Sequence, residues 1–220
     1  LADARMYAHK GARRPWAQRE ARDALHAVAV ARDQRLARHA LSVAAMAERV
    51  ARQLELPEPV VREVRDAAAL HDVGKLAIPD AIVHRRGPLT DAEWRLMRWH
   101  PAIGARIVQA APSLAPLALA IRHHHERWDG RGYPDGLAGD AIPLPAQIVF
   151  VCDAFDAMTS DRPYRRALAP HAALAELQAG AGTQFSPRVV QAFIASWDGG
   201  APAGDVDAAG AAATRPTVAG

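Results

Sequence analysis

The chain reads as an all-α helical bundle, and three features of its sequence say so. Alanine, the strongest helix former, is abundant, while aromatic residues make up only 5% of the chain. Apolar residues recur at helical spacing in most segments, and none shows the two-residue alternation of a half-buried strand. Half of the 220 residues are hydrophobic, enough to bury one sizeable core.

Taken in order, residues 1–14 predict a short helix ended by Gly11 and then a basic linker. A long helix is expected from about residue 19 to 54, with Leu36, Ala40, Val43, Ala47, Val50 and Leu54 on one stripe. Pro57 and Pro59 end it, and a second helix follows from residue 60 to about 71. Pro79, Gly87 and Pro88 mark residues 78–88 as a loop. Thr90 and Glu93 can satisfy each other's amides in a capping box, opening a helix that ends at His100, where Pro101 suits the first turn of the next. Another helix is expected over about 114–125, then an ordered Gly/Pro-rich loop over 128–145. Helices resume near 146–160, 171–179 and 186–197, the last with Ser186 as N-cap. Residues 198–220 lack large apolar groups, so a main domain over 15–197 with a disordered tail is expected.

Composition excludes several classes. A single cysteine, Cys152, rules out a disulfide framework and fits a reducing cytoplasm. No apolar run reaches the roughly 20 residues needed to span a bilayer, and no secretory leader is evident. The net charge of +3 is modest and its basic residues are scattered, so no nucleic-acid polymer is expected as partner. The oddity is ten histidines.

Their placement carries the functional reading. His71 and Asp72 are adjacent, with His71 four residues after Ala67 on the buried stripe of its helix. Alone, the pair fits a buried histidine beside a capping aspartate better than a ligand pair, because such dipeptides are common. His39, His100, His124, His125 and Asp153 also fall on the apolar faces of their segments. One inward histidine is commonplace, but five with two inward aspartates on separate helices point to a shared cavity. A buried carboxylate such as Asp153 needs a cation or a hydrogen-bond network. Imidazole and carboxylate ligands without thiolates suit Fe or Mn, with Ni, Co or Zn as other fits, and argue against a closed structural zinc site. Seven groups exceed the needs of one ion, so two divalent transition-metal ions are expected, roughly 3.5–4 Å apart. Such a pair activates water and neutralises phosphodiester charge, and Lys75 either adds a further positive charge there or is a surface lysine.

The run His124-His125-Glu126-Arg127-Trp128-Asp129-Gly130-Arg131-Gly132-Tyr133-Pro134 resembles the signature of the HD-GYP family, a branch of the HD phosphohydrolases. His71-Asp72-Val73-Gly74-Lys75, His100-Pro101, Asp153 to Tyr164 and Gly182 to Pro187 fit the same family, and the likeness covers roughly residues 20–197. It implies an all-helical fold and hydrolysis of the bacterial second messenger cyclic di-GMP to linear pGpG, to GMP, or to both. It implies metal ligands His39, His71, Asp72, His100, His124, His125 and Asp153, with Asp72 bridging and His123 outside the set. Asp72 and Lys75 are the implied catalytic residues, with Lys75 and Arg162 as phosphate contacts. Tyr133 would shape the pocket, while Glu126 and Asp129 would fix the loop or back the ligands. Two departures stand out. Arg35 occupies the place where some members carry a third-metal glutamate, and Ser42 the place of an arginine often found three residues after the first histidine. Residues 2–11 resemble the last helix of a GGDEF domain, which implies GGDEF partners in the same chain or in another. A homodimer is also expected from the long first helix. Two other readings share these motifs: a catalytically weak nucleotide-sensing or GGDEF-docking module, and a phosphohydrolase acting on another cyclic dinucleotide.

Overall fold

Helix α1 (Ala2–Arg32) and helix α2 (Gln34–Gln53) are separated by a single residue, Asp33, whose extended backbone and side chain cap the second helix. The computed structural model describes residues 2–161 and 166–197, with side chains described from residue 16 onward. The helix expected over 19–54 is therefore two helices, and Gly11 ends neither. One glycine costs a helix only about 1 kcal/mol, which flanking helix formers offset. Aspartate, by contrast, favours the N-cap over the helix interior, and the Asp33 carboxylate accepts the Arg35 amide at 2.7 Å. The expected tail over 198–220 and Arg162 lie outside the described residues.

Helix α3 (Glu58–Leu70) leads into a 3-10 turn (Val73–Ala77) and the short α4 (Asp80–Val83), which falls inside the segment expected to be loop. Helix α5 (Asp91–Met97) opens with both halves of the Thr90–Glu93 capping box in place. Helix α6 (His100–Gln109), a 3-10 turn at Ala115–Leu117, α7 (Ala118–His123), α8 (Leu144–Thr159), α9 (Pro170–Ala179) and α10 (Pro187–Ser196) complete the bundle. Among the described residues there is no strand, only an isolated bridge between Ala181 and Phe185.

Two apolar clusters fill the interior. The larger joins α2, α3, α8, α9 and α10 through residues such as Val43, Val64, Ile148, Phe155 and Phe193. The smaller joins α3, α6 and α7 through Leu70, Val108, Leu117 and Ile121. Each such side chain, fully buried, contributes about 1.5–3 kcal/mol. Helix α3 belongs to both, so its C-terminal end emerges at the seam between them. Helix α1 is tied across α3 by Arg22, which meets the buried Asp66 carboxylate at 2.7 Å. At its end Arg32 donates to the carbonyls of Leu76 and Ile78.

Gly74 sets how closely the turn after α3 approaches α6. A Cβ built there would lie 1.9 Å from the His100 carbonyl oxygen and 2.6 Å from the Gly104 nitrogen, both backbone atoms that cannot move aside. Gly74→Ala should accordingly cost on the order of 3 kcal/mol or prevent folding, read as a lowered urea midpoint at unchanged slope. An unchanged midpoint would refute this account of the packing.

Candidate metal centre

Five imidazoles and two carboxylates from five parts of the chain meet at the seam. His39 comes from α2, His71 and Asp72 from the end of α3, His100 from the start of α6, His124 and His125 from the end of α7, and Asp153 from α8. Ring centroids of His39 and His71 lie 5.3 Å apart, those of His71 and His124 5.1 Å, and those of His100 and His125 5.0 Å. Ligand atoms fall into two sets, each within 4.8 Å of one another: Asp72, His100, His124 and His125, and His39, His71 and Asp153. Asp72 stands between them, with Oδ1 3.3 Å from His100 Nε2 and Oδ2 3.5 Å from His71 Nε2.

The imidazoles are oriented from behind. His71 Nδ1 donates to the Ala68 carbonyl at 2.7 Å, His100 Nδ1 to Met97 at 2.8 Å, and His124 Nδ1 to Ile121 at 2.6 Å. A carbonyl has no proton to give, so each Nδ1 carries the hydrogen and each Nε2 presents a lone pair to the cavity. The Nε2 atoms of His100 and His124 then face each other at 3.4 Å with no hydrogen between them. His71 Nε2 and Asp72 Oδ1 are buried with no hydrogen-bond partner. Buried acceptors opposed to acceptors call for a cation, and this donor set fits one or more transition-metal ions.

The comparisons with known proteins agree with that chemistry. The HD domain family profile matches residues 23–189. The chain belongs to the HD domain family. It is 49% identical over 147 residues to the cyclic di-GMP phosphodiesterase response regulator RpfG of Xanthomonas campestris, covering 66% of this chain and 39% of that one. It is 45% identical over 157 residues to a cyclic di-GMP phosphodiesterase of Pseudomonas aeruginosa, covering 71% of this chain and 38% of that one. The chain thus spans under half the length of these curated relatives. Among solved structures, an HDG"Y"P protein from Bdellovibrio bacteriovorus superposes with a TM-score of 0.60 at 21% identity, covering 72% of this chain and 51% of that one.

Electrostatics in this HD domain keep the donors free. Burial pushes the imidazolium of His100 down to about 4 and that of His125 to about 3, and lowers His124 well below its ordinary value. Burial alone would raise Asp72, but Lys75 Nζ at 2.6 Å leads the influences that outweigh it and hold the carboxylate ionised. His39 behaves oppositely. Burial lowers it, yet the carboxylates of Asp153 at 3.1 Å and Asp156 at 2.6 Å prevail and raise it to about 10. A positive charge is demanded at that point, which a proton or a metal ion meets equally.

Asp156 is the participant that the sequence reading passed over. It lies one turn after Asp153 on α8, is 4% exposed, and accepts from His39 Nδ1 and from the Ser42 hydroxyl. Its signal was available as a second carboxylate three residues along the same apolar helix. Ser42, at the position where an arginine is often found, therefore supports His39 through Asp156.

Glu126 and Asp129 both accept backbone amides of the loop that follows α7. Glu126 is 2% exposed and accepts the amides of Asp135, Gly136 and Leu137 at 2.7, 3.1 and 3.1 Å. Asp129 pairs with Arg127 and accepts the Arg131 amide. His123 turns away to Asp135 at 2.9 Å, outside the cavity. The carboxylates near it are already occupied, because Arg122 grips Asp135 through two hydrogen bonds at 2.7 Å. Gly132 lets the loop lie on the Glu126–Arg127 backbone, where a Cβ would come within 2.3 Å of the Arg127 nitrogen. Tyr133 is thereby set beside His125, with ring centroids 4.9 Å apart. The HD site opens into a cleft of about 620 Å³, lined by Lys75, Trp94, Met97, Tyr133, Asp153 and Asp156 among others.

Asp156→Asn should weaken metal uptake about 10- to 100-fold, because His39 loses the carboxylate that orients it. Titration of the metal-stripped protein with Mn(II), followed calorimetrically, checks this. Equal affinity in the variant would remove Asp156 from any such role.

Proposed function

We propose that this domain hydrolyses cyclic di-GMP, holding two divalent cations on His39, His71, Asp72, His100, His124, His125 and Asp153. The observation that carries the reading is the meeting of those seven groups in two adjoining sets at the floor of one cleft, with opposed lone pairs and two orphaned buried acceptors. The names of the relatives above support cyclic di-GMP as substrate, with linear pGpG, GMP, or both as product. Fe or Mn is the preferred pair for an imidazole and carboxylate set without thiolate, with Ni, Co or Zn also compatible. When bound, such a pair supplies an activated water and neutralises the phosphate oxygens.

The chain's own residues do the rest. Asp72 joins the two ligand sets through its two oxygens, and Lys75 fixes that carboxylate from 2.6 Å while adding positive charge for a phosphate oxygen. Arg162 completes the phosphate contacts in this reading. The cleft volume lies within the range of small-molecule sites. Trp94, 45% exposed, and Tyr133 present aromatic faces on which a guanine can stack. No helix among the described residues is long and apolar enough to cross a membrane. GGDEF partners, a homodimer and a cytoplasmic location complete the proposal as a second-messenger enzyme.

Protein loaded anaerobically with Mn or Fe should release linear dinucleotide or GMP from cyclic di-GMP. Asp72→Ala should lower kcat/KM about a thousandfold or more, because both cation positions share that residue. Absence of product at metal occupancy verified by elemental analysis would overturn the proposal.

A further inference from the structure

The cleft also carries positive charge that the metal centre does not use. Arg35 and Arg38 line it from α2, three residues apart and hence on one helix face, and both are exposed. Among the described residues, neither guanidinium has a hydrogen-bond or ion-pair partner. The lysine of the lining, Lys75, is already bound to Asp72, and nearby Arg32 is bound to Asp80. The acids of the lining are likewise committed. Asp72, Asp153 and Asp156 serve the histidines, Asp33 caps α2 and faces His84 at 3.6 Å, and Asp161 accepts the Ala167 amide. Two like charges one turn apart repel, so an anion from outside the chain is the group that would balance them. Arg35 precedes His39 by one helical turn, about 6 Å along the axis, and Arg38 is its neighbour in sequence, so both arginines stand at the edge of the cation-holding groups.

We infer that Arg35 and Arg38 bind the second phosphate of a cyclic dinucleotide, the one not being cut. They would thereby make the site prefer a ring with two phosphates over a single phosphodiester. The inference rests on the phosphodiesterase reading of the same cleft. Guanidinium suits the task because its planar donors meet two phosphate oxygens at once and stay charged throughout the working pH range.

The test compares kcat/KM of the metal-loaded protein on cyclic di-GMP and on bis(p-nitrophenyl) phosphate, which has one phosphate. In the double variant Arg35→Ala, Arg38→Ala, the ratio of the two should fall at least about tenfold, mainly through KM for the dinucleotide. Arg35→Lys, Arg38→Lys should recover part of it, and calorimetric binding of cyclic di-GMP should weaken in parallel. If wild-type protein cleaves cyclic di-GMP and the ratio does not move in the alanine variant, this inference fails alone. An equal fall on both substrates also overturns it, since the arginines would then act on the phosphate being cut. Wild-type protein that neither binds nor cleaves cyclic di-GMP sinks the inference and the function proposed above together.

Discussion

The site depends on a set of hydrogen bonds that point away from it. Three histidines give their Nδ1 hydrogen to the carbonyl three residues earlier in the chain, and that exchange decides what each ring shows to the cavity. With the hydrogen committed outward, these three rings show lone pairs to one another and to the Asp72 carboxylate, at separations such as 3.3 Å between Asp72 Oδ1 and His100 Nε2. Such an arrangement repels itself in a low-dielectric interior unless a cation stands in it. The same burial that would penalise a charged imidazole keeps His100 and His124 neutral, which is the protonation state a metal requires.

The fold supplies rigidity on the scale that this arrangement needs. His39, His71 and Asp153 hang from the side of the larger apolar cluster, while His100, His124 and His125 hang from the smaller. Neither cluster alone presents both ligand sets, so the relative position of the two fixes the cavity. Gly74 governs that position, because backbone lies where its side chain would be, and α3 belongs to both clusters. The placement of the ligand-bearing elements thus follows from interlocked helices, and the histidines' hydrogen bonds to carbonyls then orient the rings.

Much of this was legible in the sequence, and the exceptions share a cause. The inward faces of His39, His71, His100, His124 and Asp153 followed from their spacing to apolar neighbours, since a helix projects three- and four-residue intervals onto one side. The capping box at Thr90 and the proline-led starts of α6 and α10 were equally readable, being local chemistry. The break at Asp33 was not, because its neighbours keep a helical apolar stripe and only the N-cap bond to Arg35 reveals the interruption. Nor was the role of Asp156. Its partners Ser42 and His39 lie 114 and 117 residues away, and no pattern along α8 names them. The identity of the turn-fixing partners of Glu126 is of the same kind, since a carboxylate beside a histidine reads alike whether it binds amides or metal.

That last ambiguity is resolved by asking what already satisfies each buried acid. Asp66 is met by the Arg22 guanidinium at 2.7 Å and by the Gln18 amide at 3.2 Å, so its charge is neutralised within the protein. Glu126 takes three backbone amides, and those dipoles solvate its two oxygens as water would. Asp72 is different in kind. One oxygen is held by Lys75, and the other, Oδ1, has only lone pairs opposite it. Equal burial therefore does not mean equal function. A carboxylate whose neighbours supply all its hydrogen bonds is part of the scaffold, whereas one left facing acceptors implies a partner that is not a side chain. By that criterion the cation-binding region among the described residues lies around Asp72, and buried acids such as Asp66 and Glu126 belong to the architecture that holds it still.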